Sequence, residues 1–126
     1  NNIKAKYTIL YFYSHECGHC KDHAPDLVKY YDENKDKGIE VVAIDTYGNT
    51  TLKDVTEFIN KYKTGKMLNL WDKYHVYNFI DSFDIYSTPT SYILDENKKI
   101  LGKRLQIEEF NKFIEFHEKK KASSKN

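Results

Sequence analysis

Two nearly unbroken apolar runs mark the first third of the chain. They are Tyr7–Tyr13 and Ile39–Asp45, and most of their residues are aromatic or aliphatic. A run with so little polar alternation is typical of a strand that is covered on both faces of its sheet. Apolar residues between the runs recur at helical spacing. Strand, helix and strand in this order predict a right-handed crossover between two parallel strands.

The helix between these strands is predicted to run from about Gly18 to Lys35. Pro25 lies inside it, where a proline removes one main-chain hydrogen bond and should kink the helix. Gly38 follows in the place that favours a left-handed cap. The predicted inward residues are Ala24, Leu27, Val28 and Tyr31.

The middle of the chain shows a second helical period. Thr50 or Thr51 can cap a helix there, because a threonine side chain accepts hydrogen bonds from the first free N–H groups. Its predicted inward residues are Leu52, Val55, Phe58, Ile59 and Tyr62. This helix is predicted to end at residues 64–66. Residues 67–71 are expected to form a short edge strand or an extended loop. A short helix is predicted at residues 75–83.

Two short apolar runs near the C-terminal end predict an antiparallel hairpin. They are 91–95 and 100–105, and a polar turn, 96–99, joins them. A last helix is predicted from about Ile107 to Lys119, with acidic residues at its start and lysines at its end, as the helix dipole favours. Its predicted inward residues are Ile107, Phe110, Phe113 or Ile114, and His117.

The order of predicted elements is β-α-β-α-(β)-α-β-β-α. Parallel strands and an antiparallel hairpin indicate one mixed sheet with helices on both faces. We therefore predict an α/β fold, a three-layer α/β/α sandwich with a mixed central sheet, in a single domain over residues 1–126. Residues 1–6 are expected to form a polar lead-in and residues 122–126 a disordered tail.

Composition narrows the class of protein. Of the 126 residues, 31% are charged and 40% hydrophobic, which is ordinary for a soluble globular domain. The net charge of +1 gives no reason to expect a nucleic-acid partner. No stretch approaches the roughly 20 apolar residues of a membrane span. The chain begins at Asn1 without a charged and then apolar leader, so we expect a mature or excised domain.

Both cysteines of the chain lie in one C-x-x-C motif, Cys17-Gly18-His19-Cys20, where the first strand passes into the helix. Free N–H groups and the positive end of the dipole lower the pKa of a thiol at a helix start. Two cysteines at this spacing also lie within disulfide reach. We expect Cys17 to be the exposed nucleophile, Cys20 to resolve the mixed disulfide, and His19 to add positive charge.

Two other uses of the motif remain open from the residues alone. A metal site would recruit further ligands from His15, His19 and His23 beside the two cysteines. Zinc motifs of this kind usually belong to small loop-rich modules, whereas this pair follows a buried strand. A pair of inert buried thiols is disfavoured because the position activates sulfur. A C-x-x-C beside a strand–helix–strand pattern favours redox chemistry.

The chain resembles the thioredoxin superfamily. The features that carry the resemblance are the first strand, the C-x-x-C motif, Pro25, and Thr88-Pro89 before a hairpin. Segments 17–25 and 86–95 are most similar to TlpA/ResA-type thiol:disulfide oxidoreductases, especially the thioredoxin-like domains common in Bacteroidetes. The resemblance covers about residues 7–117.

The resemblance implies a cis peptide bond between Thr88 and Pro89, beside the cysteines. In the family this turn offers its backbone to an extended substrate peptide. A strand-like pairing of that kind needs little side-chain specificity. Thr88 and Pro89, together with Gly18 and His19, are therefore expected to bind substrate.

Three positions depart from the family pattern. Glu16 stands where a tryptophan usually precedes the first cysteine. Its carboxylate would raise the pKa of Cys17 if it lay close, but we expect it to point to solvent. Tyr11 replaces the buried aspartate of thioredoxins, and His23 replaces a glutamate of many TlpA/ResA relatives. A group must take the proton of Cys20 when it attacks, and His23 is the candidate base, with a surface histidine of no such role as the alternative.

Together these inferences indicate a thiol:disulfide oxidoreductase for protein substrates, with reduction as the favoured direction. No cofactor is expected, since the Cys17–Cys20 disulfide is itself the redox group, and the partners are protein substrates and an upstream thiol electron donor. We expect a monomer as an isolated domain, and the resemblance implies a cell-envelope or periplasmic location, including membrane-anchored forms. The alternatives are a metal-binding module and a redox-inert thioredoxin-fold interaction domain.

Overall fold

The structure is a computed structural model that describes residues 5–46, 51–71 and 88–123. Its strands are β1 (Tyr7–Tyr13), β2 (Ile39–Asp45), β3 (Leu68–Trp71), β4 (Thr90–Leu94) and β5 (Ile100–Leu105). Its helices are α1 (Gly18–Asn34), α2 (Leu52–Tyr62) and α3 (Phe110–Ser123). The helix predicted at 75–83 lies outside the described residues. Within those ranges, no helix is both long and apolar enough to cross a membrane.

The strands form one mixed sheet in the order β3-β2-β1-β4-β5. β1 pairs in parallel with β2, and β2 pairs in parallel with β3. β4 pairs antiparallel with both β1 and β5, which confirms the predicted hairpin. Segment 67–71 contributes the edge strand β3, so the strand and not the loop is present there. β1 is the central strand, and the loop that follows it carries the two cysteines.

The central part of the sheet is buried on both faces. Neighbouring residues of β1 point to opposite faces, and six of its seven residues are buried. Tyr11 belongs to the larger hydrophobic cluster, to which the three helices contribute Leu27, Phe58 and Phe110. Phe12 belongs to a second cluster on the other face. Its other buried members are Val42, Ile44 and Tyr92. Burial on two faces explains the unbroken apolar runs, and the predicted α/β fold with a mixed central sheet is confirmed.

Short-range hydrogen bonds set the helix ends. Cys17 is the N-cap of α1, and its sulfur accepts a hydrogen bond from the main-chain N–H of Cys20. Gly38 lies after the turn that follows α1 with a φ of 80°, the left-handed conformation predicted for it. Thr51 caps α2 in a capping box with Asp54. These boundaries depend on residues that are close together in the sequence.

One prediction of side-chain burial was wrong. Leu52 is 65% exposed because it is the first residue of α2, and the inward face of this helix begins at Val55. Val28 and Tyr31 are partly buried and pack against the larger hydrophobic cluster, and Tyr30, which was not among the predicted inward residues, is buried. The buried stripe of α1 is Cys20, Ala24, Leu27, Tyr30 and Asn34.

The predicted boundaries of the last helix also need correction. Residues Ile107–Glu109 form a 3-10 turn, and the α-helix begins at Phe110. It continues through Ser123, so Ala122 and Ser123 are helical and do not belong to a disordered tail. Lysines in the last turn favour this extension, since cations stabilise the C-terminal end of a helix. The remaining residues, 124–126, lie outside the described ranges.

Candidate active site at the start of α1

The two cysteines occupy the first turn of α1 but differ in exposure. Cys17 is half-buried, whereas Cys20 is fully buried within the larger hydrophobic cluster. The main-chain N–H of Cys20 donates a hydrogen bond to Cys17 Sγ at 3.3 Å. The main-chain N–H of Ser14 donates one to Cys20 Sγ at 3.5 Å. One sulfur is therefore open to a partner, and the other is enclosed by the protein.

These surroundings separate the acidity of the two thiols. Burial by itself raises the pKa of Cys17, but hydrogen bonds from the Cys20 thiol, the Thr88 side chain and the main chain of Cys20 and His19 outweigh it. The pKa of Cys17 is consequently below its ordinary value. Burial and the hydrogen bond with Cys17 raise the pKa of Cys20 to about 12. This difference in pKa suits Cys17 to be the nucleophile, which must attack as a thiolate, and Cys20 to be the resolving thiol, which keeps its proton until it attacks.

Alkylation of the folded, reduced protein is expected to reach Cys17 and to spare Cys20. The thiolate is the reactive form, and Cys17 combines the lower pKa with the greater exposure. With iodoacetamide, the rate should rise with pH and level off below the pKa of about 8.5 of a free cysteine. Peptide mass spectrometry identifies the labelled site, and urea-unfolded protein, in which both thiols react, is the control. Equal labelling of the two cysteines in folded protein would contradict this assignment.

The turn at Thr88–Pro89 lies against the cysteines. The peptide bond between these two residues is cis. The Cys17 thiol donates a hydrogen bond to the main-chain oxygen of Thr88 at 3.4 Å, across a sequence separation of 71 residues. Both residues of the turn are half-buried and directly precede β4, which pairs with β1. The antiparallel pairing thus brings this turn to the end of the sheet where the cysteine loop begins.

Gly18 and His19 leave the outer side of the motif open. Both residues are exposed beside Cys17. Among the described residues, a Cβ atom added at Gly18 would meet no other atom within 4 Å. The surface between the cysteine turn and the Thr88–Pro89 turn is therefore accessible from outside.

His23 and Tyr11, two of the positions that depart from the family pattern, line one small cavity. Its volume is about 10 Å³. Pro89, Ser91 and Gln106 also line it, together with two aliphatic side chains. His23 is half-buried on α1, and Tyr11 is 3% exposed on β1. The fold therefore brings His23, Tyr11 and the proline of the neighbouring turn together.

His15 and Asp45 form a buried pair beside the cysteine loop. His15 Nδ1 lies 2.7 Å from Asp45 Oδ2, and the Asp45 side chain is completely enclosed. His15 Nε2 also lies 3.4 Å from Glu16 Oε1 and 3.7 Å from Asp54 Oδ2. The Glu16 side chain is itself 62% exposed, in agreement with the predicted solvent orientation. The pair ties the cysteine loop to the end of β2 and to the start of α2.

Sequence reasoning missed this pair, although one signal was present. Asp45 is a charged residue at the end of an apolar run, and it lies opposite Tyr13 in the parallel register of β1 and β2. The carboxyl ends of neighbouring parallel strands meet at one edge of the sheet. His15, two positions after Tyr13, therefore lies close enough to Asp45 to form a hydrogen bond with it.

The metal-binding alternative finds no ligand set in the part of the chain that the structure describes. There, no group of three or more His, Cys, Asp or Glu side chains is arranged to hold a metal ion. His15 is hydrogen-bonded to Asp45, and the Cys17 sulfur to the main chain of Cys20. The described geometry does not favour this alternative.

Replacing His15 with alanine is expected to lower the free energy of unfolding by about 1–3 kcal/mol, because the buried Asp45 carboxylate loses a hydrogen-bond partner. Urea unfolding followed by circular dichroism measures the change. Glu16→Ala is the matched control, since the neighbouring side chain is mostly exposed and its loss should change the free energy by less than about 0.5 kcal/mol. Equal effects of the two substitutions would contradict a stabilising role for the pair.

The chain is similar to known proteins of one family and to solved thioredoxin-like structures. A family model described as the AhpC/TSA family matches residues 1–103. The chain is 35% identical to a domain of a possible thiol-disulfide isomerase from Cytophaga hutchinsonii, and the match covers 97% of this chain and 82% of that one with a TM-score of 0.86. It is 26% identical to the thioredoxin domain of a thiol-disulfide oxidoreductase from Bacteroides vulgatus, with 90% and 80% coverage and a TM-score of 0.76.

A curated relative is the thiol-disulfide oxidoreductase ResA of Bacillus anthracis. It is 28% identical to this chain over 100 residues. The match covers 79% of this chain and 55% of ResA. The chain thus spans about half the length of the curated relatives that it matches.

Proposed function

This chain belongs to the AhpC/TSA family, and on that premise we propose that it is a thiol:disulfide oxidoreductase acting on protein disulfides. The unequal pair of thiols in the first turn of α1 carries the proposal. Cys17 is half-exposed with a lowered pKa, and Cys20 is buried with its pKa raised to about 12. Such a pair separates attack on an external disulfide from resolution inside the protein.

The reaction begins at Cys17. Its thiolate attacks one sulfur of the substrate disulfide, a mixed disulfide forms, and the other substrate sulfur leaves as a thiolate. The Cys20 N–H that donates to Cys17 Sγ stabilises the attacking thiolate. The nucleophile is therefore prepared before the substrate arrives.

Cys20 completes the reaction from inside the protein. It loses its proton and attacks Cys17 Sγ, so that the Cys17–Cys20 disulfide forms and the substrate leaves as a dithiol once its thiolates are protonated. The substrate gains two electrons, and the cysteine pair loses two. No cofactor is needed for this exchange, but an upstream thiol donor must reduce the pair before the next turnover.

We assign substrate binding to the surface between the two turns. Gly18 and His19 are exposed next to Cys17, and the Cys17 thiol donates a hydrogen bond to the main-chain oxygen of Thr88 in the other turn. An extended peptide in this place would run beside the half-exposed sulfur. Recognition through main-chain hydrogen bonds would accept many substrate sequences.

His23 is our candidate for the base that takes the Cys20 proton. It lies on the same helix as Cys20 and lines the small cavity beside Pro89, and imidazole accepts protons near neutral pH. His23→Ala is expected to slow the resolution step by about 10²-fold near neutral pH and to change its pH profile. Stopped-flow measurement of that step from pH 5 to 9 tests this, with Lys29→Ala as an exposed control on the same helix. A His23→Ala profile that coincides with the wild-type profile would contradict the role.

Catalysed reduction of insulin by dithiothreitol tests the proposed function. The wild-type protein should accelerate the reaction, and the double variant Cys17→Ser/Cys20→Ser should not. A wild-type protein without activity would favour the redox-inert interaction domain.

Metal analysis, with thiol titration before and after chelation, tests the metal-binding module, since two thiols that titrate equally in both conditions are not metal ligands.

We further propose that the pair reduces its substrates. Hydrogen bonds that stabilise the Cys17 thiolate oppose this direction, because they also stabilise the reduced pair and move its potential in the oxidising direction. The reduction potential of the pair is therefore the deciding measurement. Equilibration of the Cys17–Cys20 pair with glutathione measures the outcome. A potential near the roughly −270 mV of thioredoxin supports the reductase, and one near the roughly −120 mV of DsbA favours the opposite direction.

A cell-envelope or periplasmic location, including membrane-anchored forms, is also proposed, and the resemblance to TlpA/ResA-type proteins supports it. Cell fractionation of the native source with an antibody to this domain tests the location. We also expect the isolated domain to be a monomer in solution. Sedimentation equilibrium at several concentrations checks it.

A further inference from the structure

The Cys20 sulfur is fully buried, so a thiolate that forms there during resolution is shielded from water. Its stability depends on the hydrogen-bond donors that face it. The main-chain N–H of Ser14 is such a donor, and it lies 3.5 Å from Cys20 Sγ. Burial and the hydrogen bond with Cys17 raise the pKa of Cys20, and the bond from Ser14 acts in the opposite direction.

The Ser14 N–H belongs to the peptide unit that joins Tyr13 to Ser14, at the end of β1. A trans peptide unit is planar, and its C=O and N–H groups point in opposite directions. A group that binds the Tyr13 oxygen therefore also fixes the direction of the Ser14 N–H. In this structure that N–H points to Cys20 Sγ.

Thr46 binds the Tyr13 oxygen with two hydrogen bonds. Its main-chain N–H donates to this oxygen at 2.8 Å and continues the parallel pairing of β1 with β2. Its hydroxyl group donates a second bond to the same oxygen at 3.0 Å. Strand pairing accounts only for the first bond, so the second is specific to the threonine side chain. Because hydrogen bonds in series polarise one another, the second bond also makes the Ser14 N–H a stronger donor.

The chain is held on the other side of Ser14 as well. Its main-chain oxygen accepts a hydrogen bond from the N–H of Cys17 at 3.0 Å. His15 Nδ1 lies 2.7 Å from Asp45 Oδ2, and Asp45 directly precedes Thr46. The end of β2 therefore binds the residues before and after Ser14, which restrains rotation of its N–H away from Cys20.

We propose that Thr46 is a positioning residue for the resolution step. Its hydroxyl holds and polarises the peptide unit between Tyr13 and Ser14. The Ser14 N–H then stabilises the negative charge on Cys20 Sγ as this sulfur loses its proton and attacks Cys17 Sγ. Bonds form and break as in the proposed exchange, and Thr46 itself is unchanged. This role deepens the proposed function and rests on it.

Ellman's reagent separates resolution from the first attack. Cys17 attacks the reagent and releases one thionitrobenzoate, and Cys20 then releases the second as the internal disulfide closes. Stopped-flow absorbance therefore records two phases, and only the second requires a thiolate at Cys20. Thr46→Val replaces the hydroxyl with a methyl group, whereas Thr46→Ser keeps the hydroxyl. Thr64→Val is the matched control, because Thr64 is 2% exposed and its hydroxyl has no hydrogen-bond partner among the described residues.

Thr46→Val is expected to slow the second phase by about threefold or more, as the loss of one hydrogen bond would, and to leave the first phase unchanged. Thr46→Ser and Thr64→Val should both keep the wild-type phases. Nuclear magnetic resonance of the reduced, ¹⁵N-labelled proteins gives a second readout. The Ser14 amide proton should resonate upfield and exchange faster with D₂O in Thr46→Val than in wild-type protein, because its hydrogen bond is weaker.

Three results would overturn this role of Thr46. They are a second phase in Thr46→Val that equals that of Thr64→Val, a second phase in Thr46→Ser as slow as that of Thr46→Val, or a Ser14 amide proton that Thr46→Val leaves unchanged. The amide measurement uses reduced protein without turnover, so it does not depend on activity. Failure of the proposed function is a different result, in which wild-type protein releases one thionitrobenzoate and forms no Cys17–Cys20 disulfide.

Discussion

Cys20→Ser is expected to trap substrate as a stable mixed disulfide, whereas Cys17→Ser is expected to form no adduct and to have no turnover. Cys17 is the half-exposed sulfur with the lowered pKa, so only it attacks an external disulfide. Cys20 is buried and acts only on the mixed disulfide. A serine hydroxyl at position 20 cannot replace a thiol in disulfide exchange, so the reaction stops halfway.

Incubation of each variant with a disulfide-containing peptide, followed by intact-mass measurement, tests this prediction. Cys20→Ser should gain the mass of one peptide chain per protein, nearly stoichiometrically, and lose it on treatment with dithiothreitol. The double variant Cys17→Ser/Cys20→Ser is the matched control and should gain nothing. An adduct of Cys17→Ser comparable to that of Cys20→Ser would reverse the assigned roles of the two cysteines.

Phe110→Ala is expected to cost about 3–5 kcal/mol of unfolding free energy, which is typical for removal of a fully buried phenylalanine ring. Phe110 is completely buried and begins α3, and its ring meets that of Tyr30 with centroids 5.2 Å apart. The two rings lie at 78°, an edge-to-face arrangement that adds to the value of the contact. Cys20 belongs to the same hydrophobic cluster.

Phe116→Ala on the same helix is the matched control for this loss. Its side chain is 68% exposed, and its removal should change the free energy of unfolding by less than about 0.5 kcal/mol. Urea unfolding of the reduced proteins at one pH measures both changes. Similar unfolding midpoints for the two variants would show that the contact between Phe110 of α3 and Tyr30 of α1 contributes little.

The strands and the redox motif could be predicted because local patterns encode them. β1 and β2 have the predicted boundaries, since a strand buried on both faces is one apolar run from end to end. Gly38 adopts its left-handed conformation for an equally local reason, because the chain must leave α1 where a residue with a side chain would be strained. The position of Cys17 at the helix start is local as well.

Burial on a helix was less predictable, because a periodic pattern does not define how far a helix is rotated about its axis. Tyr30 and Tyr31 are both aromatic and adjacent, but Tyr30, whose ring meets that of Phe110, is buried, whereas Tyr31 is only partly buried against the same cluster. Leu52 fits the apolar period of α2 but stands in its first turn, where it is 65% exposed and no other element of the described ranges covers it. Propensity and spacing carry no information about such neighbours.

By itself the sequence determined the central strand, the helix start and the two thiols placed at their junction, and hence a reactive Cys17. The raised pKa of Cys20 was decided by the tertiary structure, because it comes mainly from burial among residues of other elements. Tertiary structure also decided the contact of Cys17 with Thr88, the His15–Asp45 pair and the cavity shared by Tyr11 and His23. Local patterns report hydrogen bonds and burial along a few residues, whereas these contacts depend on strand order and register.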